Sequence, residues 1–205
     1  VRTLSQKFGS NAILFCSVHL WECFQDSDLD FFPGSGAAED SESVMNIPLR
    51  PLWAEKRVET EDVTGSNLPA TTPPALTGRA GWREAIKRHI CTALKAFQPS
   101  LLLLSAGFDG AVGDEGCQQD GLGGLDLSPE DFEWATNELA RATDSSIDGG
   151  TRSAIVSVLE GGYGSWDAQL EKYDRSGLAR CVAAHVAALA ERRPLNGSRH
   201  DIPQN

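Results

Sequence analysis

The chain has 205 residues, of which 40% are hydrophobic, and this is enough for one α/β domain or a large part of one. Its formal net charge of -11 argues against direct binding of nucleic acid, because no overall basic field attracts phosphates. A positively charged partner, such as a lysine-rich protein tail, is compatible with that charge. The longest apolar run, around residues 101–104, is far too short to cross a bilayer, so no membrane span is expected.

The cysteines favour a reducing compartment. There are five of them, and no two are spaced as a CxxC pair. This pattern argues against a disulfide framework and against a cysteine zinc site. We therefore expect a location in the nucleus, the cytoplasm or both. The chain opens on Val1 without a signal peptide or a starting methionine, which favours a start within a longer protein.

The first part of the chain predicts two strands and a surface insertion. Residues 12–18 form a short apolar run of the kind found in buried parallel strands, and residues 45–49 are strand-like. Residues 54–78 are charged at first and then rich in Thr and Pro. We therefore expect an insertion loop at 54–78 without a core face.

The second part alternates helices with apolar strands. A helix over 82–97 is predicted from the helical spacing of Trp82, Ala85, Ile86, His89, Ile90, Ala93, Leu94 and Phe97, and Pro99 closes it. A buried strand at 101–105, a helix with Ser128 as N-cap, a buried strand at 154–159 and a final helix over 178–189 follow. This alternation predicts an α/β fold, a parallel β-sheet with helices on both faces.

Polar groups stand directly after the predicted strands, where open parallel sheets bind their ligands. Ser17-Val18-His19 follows the first strand, Asp109 follows the second, and Tyr163 lies between glycines after the third. Asp109 suits a metal ligand, although a turn or helix-cap aspartate is common in such a place. Tyr163 suits a hydrogen-bond donor to an oxyanion, although an ordinary rim tyrosine has the same surroundings. We expect Asp109 and Tyr163 to lie together at the carboxyl edge of the sheet.

A series of short segments is more specific in combination than any one of them. In chain order they are Ser17-Val18-His19, Phe31-Phe32-Pro33-Gly34-Ser35-Gly36, Asn46-Ile47-Pro48-Leu49, Ser105-Ala106-Gly107-Phe108-Asp109, Gly121-Leu122-Gly123-Gly124-Leu125, Leu127-Ser128-Pro129-Glu130-Asp131-Phe132 and Leu159-Glu160-Gly161-Gly162-Tyr163. Together they resemble the histone deacetylase family, in its class II branch, over most of residues 11–190. The resemblance implies an arginase/deacetylase-like fold, present as an incomplete domain. Residues 1–193 would be the C-terminal portion of the catalytic domain, and residues 194–205 a polar tail.

The resemblance carries roles onto individual residues. Asp109 is implied as a zinc ligand, and Tyr163 as the catalytic donor that polarises the acetyl carbonyl and stabilises the oxyanion. The implied substrate-binding residues are the tunnel wall Phe32, the rim residue Leu122, and Gly161 and Gly162 beside Tyr163. The Ser17 hydroxyl and the Val18 carbonyl resemble ligands of a structural potassium ion, with His19 as a structural neighbour.

The family pattern also contains residues that this sequence lacks. Two further zinc ligands would lie on an Asp-x-His motif before the first strand, and a general-base histidine pair would lie further upstream. The histidines present, His19, His89, His185 and His200, do not match that pair. The link at residues 114–120 is longer than usual, which bears on the rim and on substrate choice. We expect this chain alone to be inactive.

The implied activity of the parent protein is zinc-dependent removal of the acetyl group from acetyl-lysine in histones or other proteins. Zn²⁺ and a structural K⁺ would be its cofactors, acetylated proteins such as histone tails its substrates, and a corepressor complex a further partner. Two alternatives stay open: a non-histone protein or acetylpolyamine deacetylase, and a catalytically inactive corepressor or binding module. Tyr163 argues against the inactive module, because a decayed site has little need for that hydroxyl.

Overall fold

The computed structural model describes residues 7, 9, 12–20, 43–53, 76–119, 121–144 and 152–192. Strands and helices alternate along these residues, and the α/β class predicted from the sequence is confirmed. In chain order the elements are β1 (Phe15–Leu20), β2 (Val44–Leu49), α1 (Gly78–Glu84), a π-helical segment (Ala85–Ile90), α2 (Cys91–Phe97), β3 (Leu101–Gly107), a 3₁₀ helix (Glu115–Cys117), β4 (Gln118–Gln119), β5 (Leu122–Gly123), α3 (Pro129–Ala142), β6 (Ala154–Glu160), β7 (Ser165–Asp167), β8 (Lys172–Asp174) and α4 (Ser176–Glu191).

The parallel pairing of the longer strands fixes where each of them ends. β1 runs beside β2 from Phe15 opposite Val44 to Leu20 opposite Leu49. The prediction that Ser17-Val18-His19 follows the first strand is therefore wrong: these residues lie inside it, because the ladder with β2 continues beyond them. β3 runs beside β6 and ends with Gly107 opposite Glu160, so Asp109 and Tyr163 both follow soon after a paired strand end.

The strands β3 and β6 are covered on one face among the described residues. Leu102 and Ala106 of the inner face pack against the buried core, which includes Phe132 of α3 and Cys181 of α4. On the outer face the residues are exposed, as shown by Leu101, Leu103, Val156 and Val158. The prediction that these strands are buried on both faces is thus wrong for the described part of the chain. Inner and outer side chains alternate along each strand, but both sets are largely apolar, so the sequence does not show the alternation.

The buried histidine His185 joins α3, β6 and α4 beneath the inner face. Its Nδ1 lies 2.7 Å from Oγ1 of Thr136, and its Nε2 lies 2.8 Å from Oγ of Ser157. The Thr136 hydroxyl donates its proton to the carbonyl of Phe132 at 2.6 Å. Because a hydroxyl has one proton to donate, Nδ1 carries the imidazole proton and Nε2 accepts from Ser157. Burial lowers the pKa of His185, in agreement with this neutral form.

The helix that the sequence predicts over 82–97 begins at Gly78 and contains a π-helical segment in its middle. There the N–H of Cys91 donates to the carbonyl of Ile86, five residues earlier. Ala85 and Ile86 are therefore buried on one turn, and Ile90 and Cys91 on the next. His89 is exposed. The predicted place of His89 in the apolar stripe is wrong, because an α-helical spacing does not hold across this turn.

The start of α3 agrees with its predicted capping. The N–H of Ser128 donates to Oδ2 of Asp131 at 2.8 Å, and Pro129 is the first helical residue. Asp131 has no exposed surface and pairs with Arg79 at 2.7 Å and with Arg83 at 2.6 Å. Its carboxylate therefore fastens the start of α3 to α1, which the sequence did not predict.

The expected insertion at 54–78 lies mostly outside the described residues. Its last residues, from Leu76, are part of the folded structure: Leu76 packs against the core, and Thr77 forms a parallel bridge with Arg50. The polar tail expected at 194–205 also lies outside the described residues. Within the described ranges, no helix is long and apolar enough to cross a membrane.

Candidate active site

The site lies where β3 and β6 end side by side. Gly107 and Glu160 are paired at the ends of these strands, and the chain continues from them to Asp109 and to Tyr163. Leu20, at the end of β1, borders the same region. A methyl group built on Gly124 would meet Trp53 at 2.8 Å, Leu20 at 2.9 Å and the sulfur of Cys117 still closer. The end of β1 thus lies near the loop that follows β3, and the paired ends of β3 and β6 lie where open α/β sheets bind their ligands.

Asp109 and Tyr163 come together across Gly116. A methyl group built on Gly116 would lie 2.8 Å from Cβ of Asp109 and 2.8 Å from Cδ2 and Cε2 of Tyr163. One carbon atom at this point would thus overlap both side chains. A methyl group on Gly161 would lie 3.1 Å from Cγ of Asp109, so the loop after β6 also borders the carboxylate. The structure therefore brings together the two side chains that the sequence places after different strands.

The glycines beside Tyr163 let the backbone turn where side chains would not fit. Gly162 has a φ of 102°, and a methyl group there would meet Cβ of Phe108 at 3.0 Å. Gly164 has a φ of 89°, and a methyl group there would overlap the carbonyl oxygen of Asp174. Residues other than glycine rarely adopt these angles. Gly161 and Gly162 thus allow the chain to turn before Tyr163. Their contact with substrate stays a prediction.

The buried carboxylate of Asp114 connects the loop after β3 with the loop after β6. Its Oδ1 accepts from the N–H of Gly116 at 2.9 Å. Its Oδ2 accepts from the N–H of Tyr163 at 2.8 Å and from the N–H of Gly164 at 2.7 Å. The N–H of the next residue, Glu115, donates to the carbonyl of Gly164 at 3.0 Å. Asp114 was not singled out from the sequence, where it was part of an unusually long link.

Burial raises the pKa of Asp109. The negative charge of Asp114 acts in the same direction, and backbone hydrogen bonds to Asp109 oppose both effects. Desolvation and a second carboxylate both destabilise the ionised form of a carboxyl group, and a nearby cation stabilises it. Cys117 lies in the same loop, and burial raises the pKa of its thiol to about 11. This thiol is therefore protonated near neutral pH, which makes it a poor metal ligand or nucleophile.

Tyr163 lies at the edge of the site, with 54% of the residue exposed. The short strands β7 and β8 follow it directly and form an antiparallel hairpin. Trp166 and Tyr173 stack on this hairpin edge to face, with ring centroids 5.2 Å apart. The N–H of Trp166 donates to Oε1 of Glu115 at 3.2 Å, so the hairpin is attached to the loop that carries Asp114.

The other residues implied by the family resemblance are distributed around this edge or lie outside the described residues. Ser17 lies in β1, with its Oγ 2.9 Å from Nδ1 of His19. Val18 is partly buried and packs against the core. Leu122 is partly buried in β5, in the loop that separates Asp109 from α3. Phe32 lies outside the described residues, so its contact with the site stays a prediction.

Asp109 fits one position of a metal site, because a carboxylate oxygen is an ordinary zinc ligand. Among the described residues, however, no group of three or more His, Cys, Asp or Glu side chains could hold a metal ion. A catalytic zinc normally has three protein ligands. The described part of the chain thus does not bring three such ligands together, and the role of Asp109 as a metal ligand stays a prediction.

A family model described as "Histone deacetylase domain" matches residues 6–189. Type-2 histone deacetylase 2 of Dictyostelium discoideum is 31% identical over 186 residues, which are 89% of this chain and 9% of that protein. Histone deacetylase 7 of Homo sapiens is 29% identical over 154 residues, which are 74% of this chain and 13% of that protein.

A solved structure supports the fold. The crystal structure of the HDA15 HD domain matches with a TM-score of 0.51 and 20% sequence identity, over 94% of this chain and 42% of that one. The deacetylase-like α/β fold expected from the sequence is therefore confirmed. The chain spans less than half of this structure and only a small part of both relatives.

Proposed function

Because the chain belongs to the histone deacetylase family, we propose that it forms part of an enzyme that hydrolyses the acetyl group from acetyl-lysine side chains of proteins. Family membership supports a deacetylase-type hydrolase. The proposal goes further, to zinc dependence and to acetylated protein tails such as those of histones as substrates. The observation that carries it is the meeting of Asp109 and Tyr163 across Gly116, at the shared edge of the parallel strands.

We propose that the Asp109 carboxylate is a ligand of the metal. Its carboxylate is partly buried beside Asp114, and both features favour a cation at this place. A zinc ion held there would act as a Lewis acid on the amide carbonyl of the substrate. The remaining ligands and the general base would come from the Asp-x-His motif and the histidine pair of the family pattern, which this sequence lacks. Asp109 itself would fix the position of the metal relative to Tyr163.

We propose that the Tyr163 phenol donates a hydrogen bond to the carbonyl oxygen of the substrate. Its phenol can donate a hydrogen bond, and its ring stands beside Asp109 at an exposed edge that a side chain of the substrate can reach. Negative charge grows on the amide oxygen when water adds to the carbonyl carbon. A donor placed in advance stabilises this charge more than it stabilises the neutral amide.

The substrate tunnel and the potassium ion complete the proposal. Phe32 would form one wall of the tunnel, Leu122 its rim, and Gly161 and Gly162 the floor beside Tyr163. Ser17 and the carbonyl of Val18 would bind the potassium ion. The Ser17 hydroxyl keeps acceptor capacity beside its contact with His19, because a hydroxyl accepts two hydrogen bonds.

The proposal is tested on the full-length protein that carries this domain, with a peptide that contains acetyl-lysine and with an acetylated polyamine. We expect turnover of the peptide that a chelator abolishes and that added zinc restores. Asp109→Asn should lower the affinity for zinc, and excess zinc should recover part of its activity. Glu133→Gln, on the exposed side of α3, serves as a control and should behave as the wild type. Turnover that is insensitive to both the chelator and Asp109→Asn would contradict the proposal.

A further inference from the structure

Asp114 is buried, with 2% of the residue exposed, and its hydrogen-bond donors are backbone N–H groups. One of them, Gly116, is two residues away and closes the start of the 3₁₀ helix. The other two, Tyr163 and Gly164, are about fifty residues away along the chain, as the separations of 49 and 50 show. A carboxylate that served only as a helix cap would need the first bond alone.

The bonds from Tyr163 and Gly164 act on a segment that has little rigidity of its own. Gly161, Gly162 and Gly164 surround Tyr163, and glycines restrict the backbone less than any other residue. The Tyr163 residue is 54% exposed, so packing of its ring covers only part of it. The position of the phenol therefore depends on how firmly the backbone at residues 163 and 164 is held.

Asp114 also holds the other half of the site. Through Gly116 it fixes the 3₁₀ helix, and Gly116 is the residue that separates Asp109 from the Tyr163 ring. The bond between the N–H of Glu115 and the carbonyl of Gly164 runs beside those of Asp114 and in the opposite direction. One carboxylate thus sets the distance between the loop that carries Asp109 and the loop that carries Tyr163.

We propose that Asp114 is a positioning residue, which holds the backbone of Tyr163 so that its phenol faces the site beside Asp109. This rests on the function proposed above for Tyr163. Asp114 does not touch the substrate in this scheme; it acts through Tyr163. A displacement of a catalytic group by about 1 Å can cost on the order of 100-fold in rate. We therefore expect loss of the Asp114 carboxylate to lower kcat by about 10- to 100-fold and to change KM little.

The structural part of the test does not require activity. The chain has two tyrosines, Tyr163 and Tyr173, so a sample labelled with 3-fluorotyrosine gives one ¹⁹F resonance from each. Asp114→Asn keeps the size of the side chain but replaces one acceptor oxygen by a donor. We expect the Tyr163 resonance to shift or broaden and the Tyr173 resonance to stay in place. Glu115→Gln is the matched control, because it removes a neighbouring charge and keeps an oxygen for the N–H of Trp166.

A second variant covers the case in which Asp114→Asn does not fold. Incorporation of the α-hydroxy acid analogue of tyrosine at position 163 replaces the N–H that donates to Asp114 by an ester oxygen. It leaves the phenol and every other residue unchanged, and it should disturb the same fluorine resonance of a labelled ring. An unchanged Tyr163 signal in either folded variant would overturn the proposal.

Kinetics of the full-length protein separates this proposal from the proposed function. If Asp114 acts through Tyr163, Asp114→Asn should cost much less in a Tyr163→Phe background than in the wild type. Equal losses in both backgrounds would show a role that does not depend on Tyr163 and would overturn the positioning role. A displaced Tyr163 signal in a protein without deacetylase turnover would instead refute the proposed function and leave the positioning of Tyr163 intact.

Discussion

The ring of Tyr163 and Cβ of Asp109 lie at the same distance, 2.8 Å, from the point where Gly116 would carry a side chain. Gly116→Ala should therefore push the two groups apart. We expect a loss of about 1–3 kcal/mol in the free energy of unfolding, as in other overpacked sites, and a fall in kcat in the full-length protein. Urea unfolding and steady-state kinetics measure these effects.

The control for Gly116→Ala is Gly177→Ala near the start of α4. A methyl group at Gly177 meets nothing within 4 Å, so this variant should be equal to the wild type or more stable by about 0.5–1 kcal/mol. If Gly116→Ala is as stable and as active as Gly177→Ala, the close approach of Asp109 and Tyr163 described above is incorrect.

Tyr163→Phe should lower kcat by about 10²–10³-fold in the full-length protein, which is the usual effect of losing one oxyanion donor. KM should change little, because the hydrogen bond gains most of its strength as charge grows on the carbonyl oxygen. The variant keeps the ring, so its thermal unfolding should match that of the wild type. A variant with near-normal kcat would identify Tyr163 as a rim residue without a catalytic role.

The stability of the fold should fall as the pH is lowered through the titration of His185. Burial holds the pKa of this residue below its ordinary value of 6.5. The unfolded chain then binds a proton at a higher pH than the folded chain does, so the neutral form stabilises the fold above about pH 6.5. This contribution is lost as the pH falls through the pKa of the folded state.

Urea midpoints between about pH 8 and about pH 5 test the role of His185. His185→Gln should be less stable at neutral pH and should depend less on pH than the wild type. His89→Gln, in the exposed part of the π-helical segment, should follow the wild-type curve. Parallel curves for the wild type and His185→Gln would exclude His185 as the source of the pH dependence.

Asp131 should contribute to acid unfolding at a lower pH. Burial raises its pKa, but the hydrogen bond from Ser128 and the contacts with Arg79 outweigh burial and lower the pKa below its ordinary value of 3.8. The stability that it provides is therefore present above that value and is lost as the pH falls through the lowered pKa.

Asp131→Asn should be less stable than the wild type at pH 7 by about 1–3 kcal/mol, because two arginines and the start of α3 lose a charged partner. The difference should become smaller toward acid pH, and Glu133→Gln on the exposed side of α3 should leave the curve unchanged. A constant difference between the variant and the wild type at every pH would contradict the assignment to ionised Asp131.

The 205-residue chain alone should bind zinc weakly and should not turn over an acetyl-lysine peptide. The described residues provide one carboxylate for a metal that normally needs three protein ligands. Calorimetric titration with zinc and a sensitive assay for acetate release measure both properties. Chelator-sensitive turnover by the purified chain would show that residues outside the described ones complete the site.

The sequence was a good guide where local chemistry decides the structure. The cap at Ser128, the end of α2 before Pro99 and the places of Asp109 and Tyr163 after paired strands follow from residue types and their spacing. The role of Asp114 could not be predicted in this way. Its partners lie about fifty residues away, and nothing in a single sequence marks which backbone N–H groups an acidic residue will meet.

The exposed outer face of β3 and β6 shows a second limit of the sequence. A run of Leu101, Leu102, Leu103 and Leu104 reads as buried on both faces, yet Leu103 is 68% exposed among the described residues. Periodicity cannot distinguish such a strand from one that is covered on both faces, because both sets of side chains are apolar. The salt bridges of Asp131 with Arg79 and Arg83 could not be predicted either, because they depend on how α1 and α3 pack together.

The π-helical segment between α1 and α2 determines where the continuous helix from Gly78 to Phe97 can change in length. It holds one residue more than an α-helix would need between Ala85 and Cys91, since the N–H of Cys91 reaches back five residues to Ile86. Deletion of the exposed His89 should convert the segment to ordinary α-helix and keep Ile90 and Cys91 turned toward the core. The same deletion in α3, at Glu133, would rotate every later residue of that helix by about 100°. We therefore expect a gap of one residue to be tolerated at this turn and to disrupt α3.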